Sequence, residues 1–236
     1  MKKYIDIMKK IFVWLACAVV AGGAAASCAK TTCDDTLYAN ALVTVKPNAD
    51  NTAFILQVDD STALIPVNMT KSPYGNREVR ALINFREVEE SSKKSRAVYS
   101  ERNVHVNWMD SILTKPMVAN LGAEENDEEY GDDPVEILND WVTVVEDGYL
   151  TLRFRTYWGG LQKHRVNLVA GDPEDPWHVT FHHDAEDDIS GHVGDALVAF
   201  KLDGTLPDTK GETVDLTLEW KSFSGVKTAK FKYCTR

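Results

Sequence analysis

The side chains best suited to chemistry in this sequence lie between residues 178 and 192, where four histidines and four carboxylates are concentrated. Imidazole and carboxylate groups bind zinc, but a zinc site needs three or four of them converging at about 2 Å. Strand geometry opposes this, because the neighbours His182 and His183 point to opposite faces of a strand. A turn that brought His192 back beside His183 or Asp184 would make a weak site at most. We therefore expect a solvated hairpin loop there, with no metal and no other cofactor, formed by His178, His182, His183, Asp184, Glu186, Asp187, Asp188 and His192.

A second group of side chains, Tyr149, Arg153, Arg155 and Tyr157, follows one face of a predicted strand over residues 149–157. Aromatic rings and guanidinium groups on one face are able to bind a sugar or a peptide by stacking. A solvent-facing strand with ordinary cross-strand partners has the same pattern. Both interpretations stay open, and these four residues are the candidate ligand-binding residues of the chain.

Sequence motifs for catalysis are missing. The chain has no Gly-x-Ser-x-Gly turn, phosphate-binding loop or His-Glu-x-x-His sequence. His105 and His164 alternate with apolar residues, and neither is adjacent in sequence to a nucleophile. We expect no enzyme. A hydrolase whose site is built around the histidine-rich hairpin is the alternative, since residues from distant segments are able to converge.

The elements that carry these residues begin after an export signal. Lysines at positions 2, 3, 9 and 10 precede an apolar run over residues 11–20, and Ala25-Ala26-Ser27 then leads to Cys28. This order is typical of a bacterial lipoprotein signal, which a peptidase removes before the cysteine that receives lipid. Residues 1–27 are therefore the predicted signal peptide, Cys28 the lipidation site and 28–36 a lipidated tether. A retained membrane-spanning helix is the alternative, although the run is shorter than such a helix needs.

Removal of the signal peptide would set the location of the protein and its net charge, and the charge limits which classes of partner it is able to bind. We expect a cell-envelope protein held in the membrane through its lipid, at the outer membrane. Cleavage removes four lysines and one aspartate and moves the formal net charge from −10 to about −13. So acidic a protein repels polyanions, which argues against nucleic acid as a partner and leaves a protein or peptide. Cys33 and Cys234 form a disulfide or stay free thiols; the sequence does not place them together.

Alternating apolar residues predict β-strands throughout the mature chain, in two halves. Residues 37–122 contain about five short strands, which suits a small closed barrel. Residues 134–236 contain six or seven, which suits an antiparallel sandwich, and Asp147-Gly148 marks a tight hairpin turn. Between the halves, residues 123–133 are rich in carboxylates, so we expect an extended, solvated linker that is open to protease. A calcium loop is the alternative, but the acids come in adjacent pairs and the glycine is late.

The order of several segments resembles the NigD-like lipoproteins of Bacteroidetes. The similarity is carried by residues 133–137 ahead of Trp141, by residues 147–152 and 164–168, by Phe181-His-His183 and by the closing strand 227–233. In the first half it depends on residues 108–115 and the lipidation motif. The resemblance implies an OB-type barrel followed by a β sandwich, an all-β protein. The family is associated with a bacteriocin gene cluster, so the resemblance also implies an immunity role. With the missing catalytic motifs and the acidic charge, we expect a non-catalytic binding or protective module, with immunity against a cationic peptide as an alternative function.

Overall fold

The protein is described by a computed structural model over residues 38–88 and 100–236. Cys28, Cys33, the predicted signal and the predicted 91–96 loop lie outside these residues. The strands are β1 (Ala39–Pro47), β2 (Phe54–Asp59), β3 (Thr62–Pro66), β4 (Val79–Glu87), β5 (Ser100–Ser111), β6 (Leu113–Pro116), β7 (Glu136–Ile137), β8 (Val144–Glu146), β9 (Tyr149–Trp158), β10 (Arg165–Val169), β11 (His178–Asp184), β12 (His192–Lys201), β13 (Val214–Ser222) and β14 (Gly225–Tyr233). One helix, α1 (Ala123–Tyr130), separates β6 from β7.

The first five strands close into a barrel in the order β1-β2-β3-β5-β4, with β4 pairing back to β1. Most pairs are antiparallel, and β3 and β5 run parallel. Alternation places one face of each strand inside: Val104 and Val106 are buried, while His105 between them faces outward as predicted. The predicted OB-type barrel is confirmed. Sequence patterning named four of its strands and missed β3, whose five residues are too few to show a period.

The later strands form the predicted β sandwich. One sheet has the order β10-β11-β13-β14, and the other has the order β6-β12-β9-β7 with β8 also paired to β9. Their inner faces share one core, which includes Leu150, Leu152, Phe181, Phe200 and Leu218. Most neighbours are antiparallel, but β11 pairs with β13 and β6 with β12 in parallel. Strand β6 therefore belongs to the sandwich, although sequence analysis counted residues 113–116 with the barrel.

The acidic segment at residues 123–133 differs from the extended linker that the sequence predicted, because most of it is helix α1. Its two leading carboxylates, Glu124 and Glu125, lie in the first helical turn, where the helix dipole favours negative charge. Asn126 is buried, and its Oδ1 accepts a hydrogen bond from the Leu121 N–H at 2.9 Å. Helix formation turns the other acidic side chains outward and docks the segment, so their repulsion does not force it to extend. Within the described residues, no helix is long and apolar enough to cross a membrane.

Barrel and sandwich pack directly against each other. Leu42 on β1 belongs to the same buried cluster as Tyr149 on β9 and Ala199 on β12. Charged pairs border this cluster, such as Lys46 Nζ to Asp147 Oδ1 at 2.6 Å. The described residues accordingly belong to one compact unit.

Candidate functional site

A cleft opens where two neighbouring strands of the sandwich stop pairing. Strands β11 and β13 pair in parallel only as far as Phe181 and Trp220. Beyond that point the segment before β7 lies between them: the Asp133 N–H donates to His183 O at 2.8 Å, and the Val135 N–H donates to Lys221 O at 3.0 Å. The inserted segment satisfies the backbone groups that the separated strands leave open.

The cleft has a volume of about 870 Å³ and is lined mainly by the inserted segment, helix α1, β11 and β13. Its charged lining is strongly unbalanced, with five carboxylates and one ammonium group. The ammonium group, Lys221, forms an ion pair with Asp132. The carboxylates are Asp127, Asp132, Asp133, Asp172 and Glu219.

Gly131 allows the inserted segment to approach β11 closely. Its φ is +87°, in the region that favours glycine, and a Cβ there would lie 2.6 Å from His183 O and closer still to the Asp184 side chain. The carbonyl oxygen of Gly131 itself lies 2.8 Å from Nδ1 of His182. His182 is thus used to hold the wall of the cleft.

His183 lies on the floor of the cleft with 1% of its surface exposed. Its Nδ1 lies 3.3 Å from Asp133 O, and its Nε2 lies 3.0 Å from Nδ1 of His164. A carbonyl oxygen only accepts, so His183 carries its proton on Nδ1 and its Nε2 accepts from His164. Burial, and next the neighbouring His164, lower the pKa of His183 to about 4. His183 is therefore neutral near pH 7, and both its ring nitrogens bond within the protein.

Asp188 lies beside His164 but is not hydrogen-bonded to it. Nε2 of His164 is buried with no hydrogen-bond partner among the described residues, and it lies 3.8 Å from Asp188 Oδ2. Burial alone would raise the pKa of Asp188, but backbone N–H groups, including that of Leu161 at 3.0 Å and that of Gly159 at 2.8 Å, lower it below its ordinary value. Asp188 thus fixes the loop between β9 and β10.

The structure does not assemble the weak metal candidates His183, Asp184 and His192. Asp184 forms an ion pair with Arg165. His192 is exposed on β12, in the other sheet, paired with Trp158. Over the parts of the chain that the structure describes, no three His, Cys, Asp or Glu side chains are placed to hold one metal ion.

The predicted ligand-binding stripe on β9 is divided among three environments. Tyr149 is 1% exposed, and its hydroxyl donates to Glu78 Oε1 at 2.7 Å, so it belongs to the junction with the barrel. Arg153 and Arg155 both bind the carboxylate of Asp195 on β12. Their hydrogen bonds, led by the one from Arg155, lower the pKa of Asp195 to about 2.

Tyr157, the last residue of the stripe, does reach a surface that a ligand is able to contact. It is 44% exposed and meets the ring of Phe223 edge-on, with 5.4 Å between ring centroids. These two rings, Ile189 and Pro134 line a mostly apolar pocket of about 260 Å³ beside the cleft. Asp133, Pro134 and Phe223 line both cavities. An acidic cleft and an apolar pocket therefore adjoin each other at this end of the sandwich.

Sequence reasoning missed Trp220, which lines the cleft. The residue is 6% exposed, and its Nε1 is buried without a hydrogen-bond partner among the described residues. A buried indole N–H normally finds an acceptor. The alternation of β13 predicts that Trp220 faces the core, but only the separation of β11 from β13 places it beside a cavity.

A closed OB-type barrel joined to a two-sheet sandwich with an inserted acidic segment defines a specific two-domain, all-β class of protein. Family comparison gives the same division: residues 42–112 match the NigD-like N-terminal OB domain, and residues 117–233 match the NigD-like C-terminal β-sandwich domain. The chain belongs to the NigD-like family.

Solved structures from Parabacteroides and Bacteroides species share the fold. A candidate toxin-related protein of Parabacteroides distasonis is 38% identical, with a TM-score of 0.70 over 84% of this chain and 94% of that one. A NigD-like immunity protein of Bacteroides caccae is 17% identical, with a TM-score of 0.60 over 84% and 98% of the two chains. A candidate lipoprotein of Bacteroides fragilis is 13% identical, with a TM-score of 0.53 over 84% and 99%. No curated protein matches this chain.

Proposed function

We propose that this protein is an envelope-anchored lipoprotein that binds a cationic peptide segment in the acidic cleft of its sandwich and catalyses no reaction. The observation that carries the proposal is the adjacency of a cleft lined by five carboxylates and an apolar pocket, which share three lining residues. A basic side chain is attracted to the first, and a large apolar side chain is buried in the second.

Trp220 contributes a large aromatic side chain to the lining of the cleft. Its Nε1 is buried, so we do not count that N–H among the groups that contact an incoming peptide. The peptide would thus be held by charge in the cleft and by one apolar anchor in the neighbouring pocket.

The histidine pair favours binding over hydrolysis. A general base must be free to take a proton from a nucleophile or a water molecule. Both nitrogens of His183 bond inside the protein, to Asp133 O and to His164. His183 is therefore not available as a general base, and it does not support the alternative of a hydrolase at this hairpin.

The family relationship suggests where and why such binding occurs. One structural neighbour is called an immunity protein and another a candidate lipoprotein. With lipid on Cys28, this protein would be anchored at the outer membrane, where it would bind a toxic cationic peptide and so neutralise it. Binding rather than cleavage would then provide the protection.

The test uses the full lipidated protein in detergent and two labelled probe peptides. One has three lysines and a phenylalanine spaced by alanines, and in the other glutamates replace the lysines. We expect the lysine peptide to bind, measured by fluorescence anisotropy, with an affinity that falls as sodium chloride rises. The glutamate peptide should not bind.

Matched variants separate the cleft from the net charge. Asp127→Asn with Glu219→Gln removes two cleft carboxylates, and Asp110→Asn with Glu101→Gln removes two exposed carboxylates of β5. We expect about a tenfold loss of affinity for the first pair and a change within about twofold for the second. Equal losses, or no binding of the lysine peptide by the wild type, would overturn the proposal.

A further inference from the structure

The outer face of the barrel carries a row of amide side chains that the cleft does not use. Asn40 on β1 is in register with Asn84 on β4, and Asn84 is in register with Trp108 on β5. Side chains in register on neighbouring antiparallel strands point to the same face. The three residues therefore form a row across the barrel.

A β-bulge adds a third asparagine to this row. Asn84 pairs with Trp108 while Phe85 pairs with Val106, so Asn107 is the extra residue on β5. Asn107 Nδ2 donates to Asn84 Oδ1 at 2.8 Å, which places its side chain on the same face. Bulges redirect side chains in this way, often next to functional sites.

The three amides are hydrogen-bonded head to tail. Asn107 donates to Asn84, and Asn84 Nδ2 donates to Asn40 Oδ1 at 2.8 Å. Among the described residues, Nδ2 of Asn40 and Oδ1 of Asn107 have no hydrogen-bond partner at the two ends of this row. The row therefore offers a fixed donor and a fixed acceptor, which is the pairing that sugar hydroxyl groups require.

Aromatic rings accompany the amides. Trp108 is 45% exposed, and Tyr38, which directly precedes β1, is 59% exposed. An exposed indole provides a flat apolar surface on which the C–H face of a sugar ring is able to stack. Asparagine is depleted in strands, so three of them in adjacent strands are poor choices for stability alone.

We infer that this face of the barrel, defined by Asn40, Asn84, Asn107 and Trp108, binds a neutral oligosaccharide. One sugar ring stacks on Trp108, and its hydroxyl groups bond to the ends of the amide row. The four residues carry no charge, and the protein's net charge of −10 disfavours an anionic glycan. The inference does not depend on peptide binding at the cleft, because none of these residues lines it.

The test titrates the full lipidated protein, in detergent, with cellohexaose, mannohexaose and xylohexaose by isothermal calorimetry. A heparin-derived hexasaccharide serves as the anionic comparison. We expect at least one neutral hexasaccharide to bind at millimolar concentration and the heparin fragment to bind more weakly. In nitrogen-15 NMR spectra the side-chain amide signals of Asn40, Asn84 and Asn107 should shift on binding.

Two tryptophan variants test whether the oligosaccharide binds at Trp108. Trp108→Ala removes the stacking surface, and Trp141→Ala removes an indole that is 59% exposed on a loop of the sandwich. We expect about a tenfold loss of affinity for Trp108→Ala and a change within about twofold for Trp141→Ala. Absence of binding by all three neutral probes, or equal effects of the two variants, would overturn the inference.

Discussion

Arg80 on the barrel donates a hydrogen bond from Nε to Oγ1 of Thr151 on the sandwich, at 3.3 Å, and the arginine is fully buried. Its Nη1 also donates to Oγ1 of Thr44 at 3.0 Å, and its Nη2 lies 3.4 Å from Glu146 Oε2. A buried guanidinium is stable only where its donors are satisfied, and here the satisfying groups come from both domains. Arg80 therefore links the barrel to the sandwich, in addition to their shared buried cluster.

Replacing Arg80 should destabilise the protein strongly. Burial lowers the pKa of Arg80, and the nearby Glu146 counteracts part of that shift. Arg80→Met keeps much of the volume but leaves two threonine hydroxyls and Glu146 without their donor, and we expect a loss of about 3 kcal/mol in the free energy of unfolding. Urea denaturation followed by circular dichroism measures this loss. Arg102→Met, which breaks the exposed pair with Glu87 on the barrel, is the control and should cost under about 1 kcal/mol.

The two domains should unfold together. A shared buried cluster and the bonds of Arg80 link them, so separate transitions would have to expose that cluster in the first step. We expect one transition that is identical by circular dichroism and by tryptophan fluorescence. Two transitions at different urea concentrations would contradict this expectation.

Protease should cut residues 124–130 slowly. The segment is helix α1, and proteases need an extended chain of several residues in the active site. Limited digestion with the Glu-specific V8 protease, followed by mass spectrometry, should leave Glu124–Glu125 intact under conditions that cleave the urea-unfolded protein. Rapid cleavage there into two stable fragments would instead restore the independent-domain interpretation.

Gly131 provides a test of the cleft wall with a well-matched control. Gly131 and Gly211 both have positive φ, +87° and +82°, so alanine strains the backbone at each, by about 1–3 kcal/mol. Only at Gly131 does the new Cβ meet other atoms, those of His183 and Asp184. We expect Gly131→Ala to lose about 2 kcal/mol more than Gly211→Ala in urea denaturation. Equal losses would mean that the inserted segment is not held against β11.

His183 should make stability depend on pH in a defined direction. Its pKa is about 4 when folded, against about 6.5 in an unfolded chain. As the pH falls from about 6.5 towards 4, the unfolded chain binds a proton that folded His183 does not, and stability is lost, by at most about 3 kcal/mol. Comparing wild type with His183→Asn isolates this contribution, because acidic groups titrate alike in both. The variant should show a flatter profile above about pH 4.5, whereas the exposed control His192→Asn should match the wild type.

Lipid attachment is tested at Cys28. We expect Cys28→Ala to accumulate as an unprocessed precursor that takes up no labelled palmitate, since the peptidase and the acyl transfer both require that cysteine. Cys33→Ala should be labelled like the wild type. Labelling that persists in Cys28→Ala, or disappears in Cys33→Ala, would show that lipid is attached to a residue other than Cys28.

Local sequence patterns were sufficient for the fold class. Period-two alternation identified most strands, and Asp147-Gly148 predicted the hairpin between β8 and β9, where Gly148 has a φ of +74°. Both signals act within a few residues, so they are visible without knowledge of the rest of the chain. The prediction for the acidic run was wrong because the contacts that decide its structure are not local. Repulsion among carboxylates predicts an extended chain, but helix α1 is docked by tertiary contacts such as that of Asn126.

The sequence by itself determined the net negative charge, the alternation that builds barrel and sandwich, and the family, and it predicts an export signal. Tertiary structure decided which faces are used. It buried Tyr149 at the domain junction, joined His183 to His164 across two strands, opened the acidic cleft between β11 and β13, and aligned Asn40, Asn84 and Asn107 through a bulge. Each of these depends on which strand lies beside which, and strand pairing joins residues that are distant in sequence, so it leaves no local pattern to read.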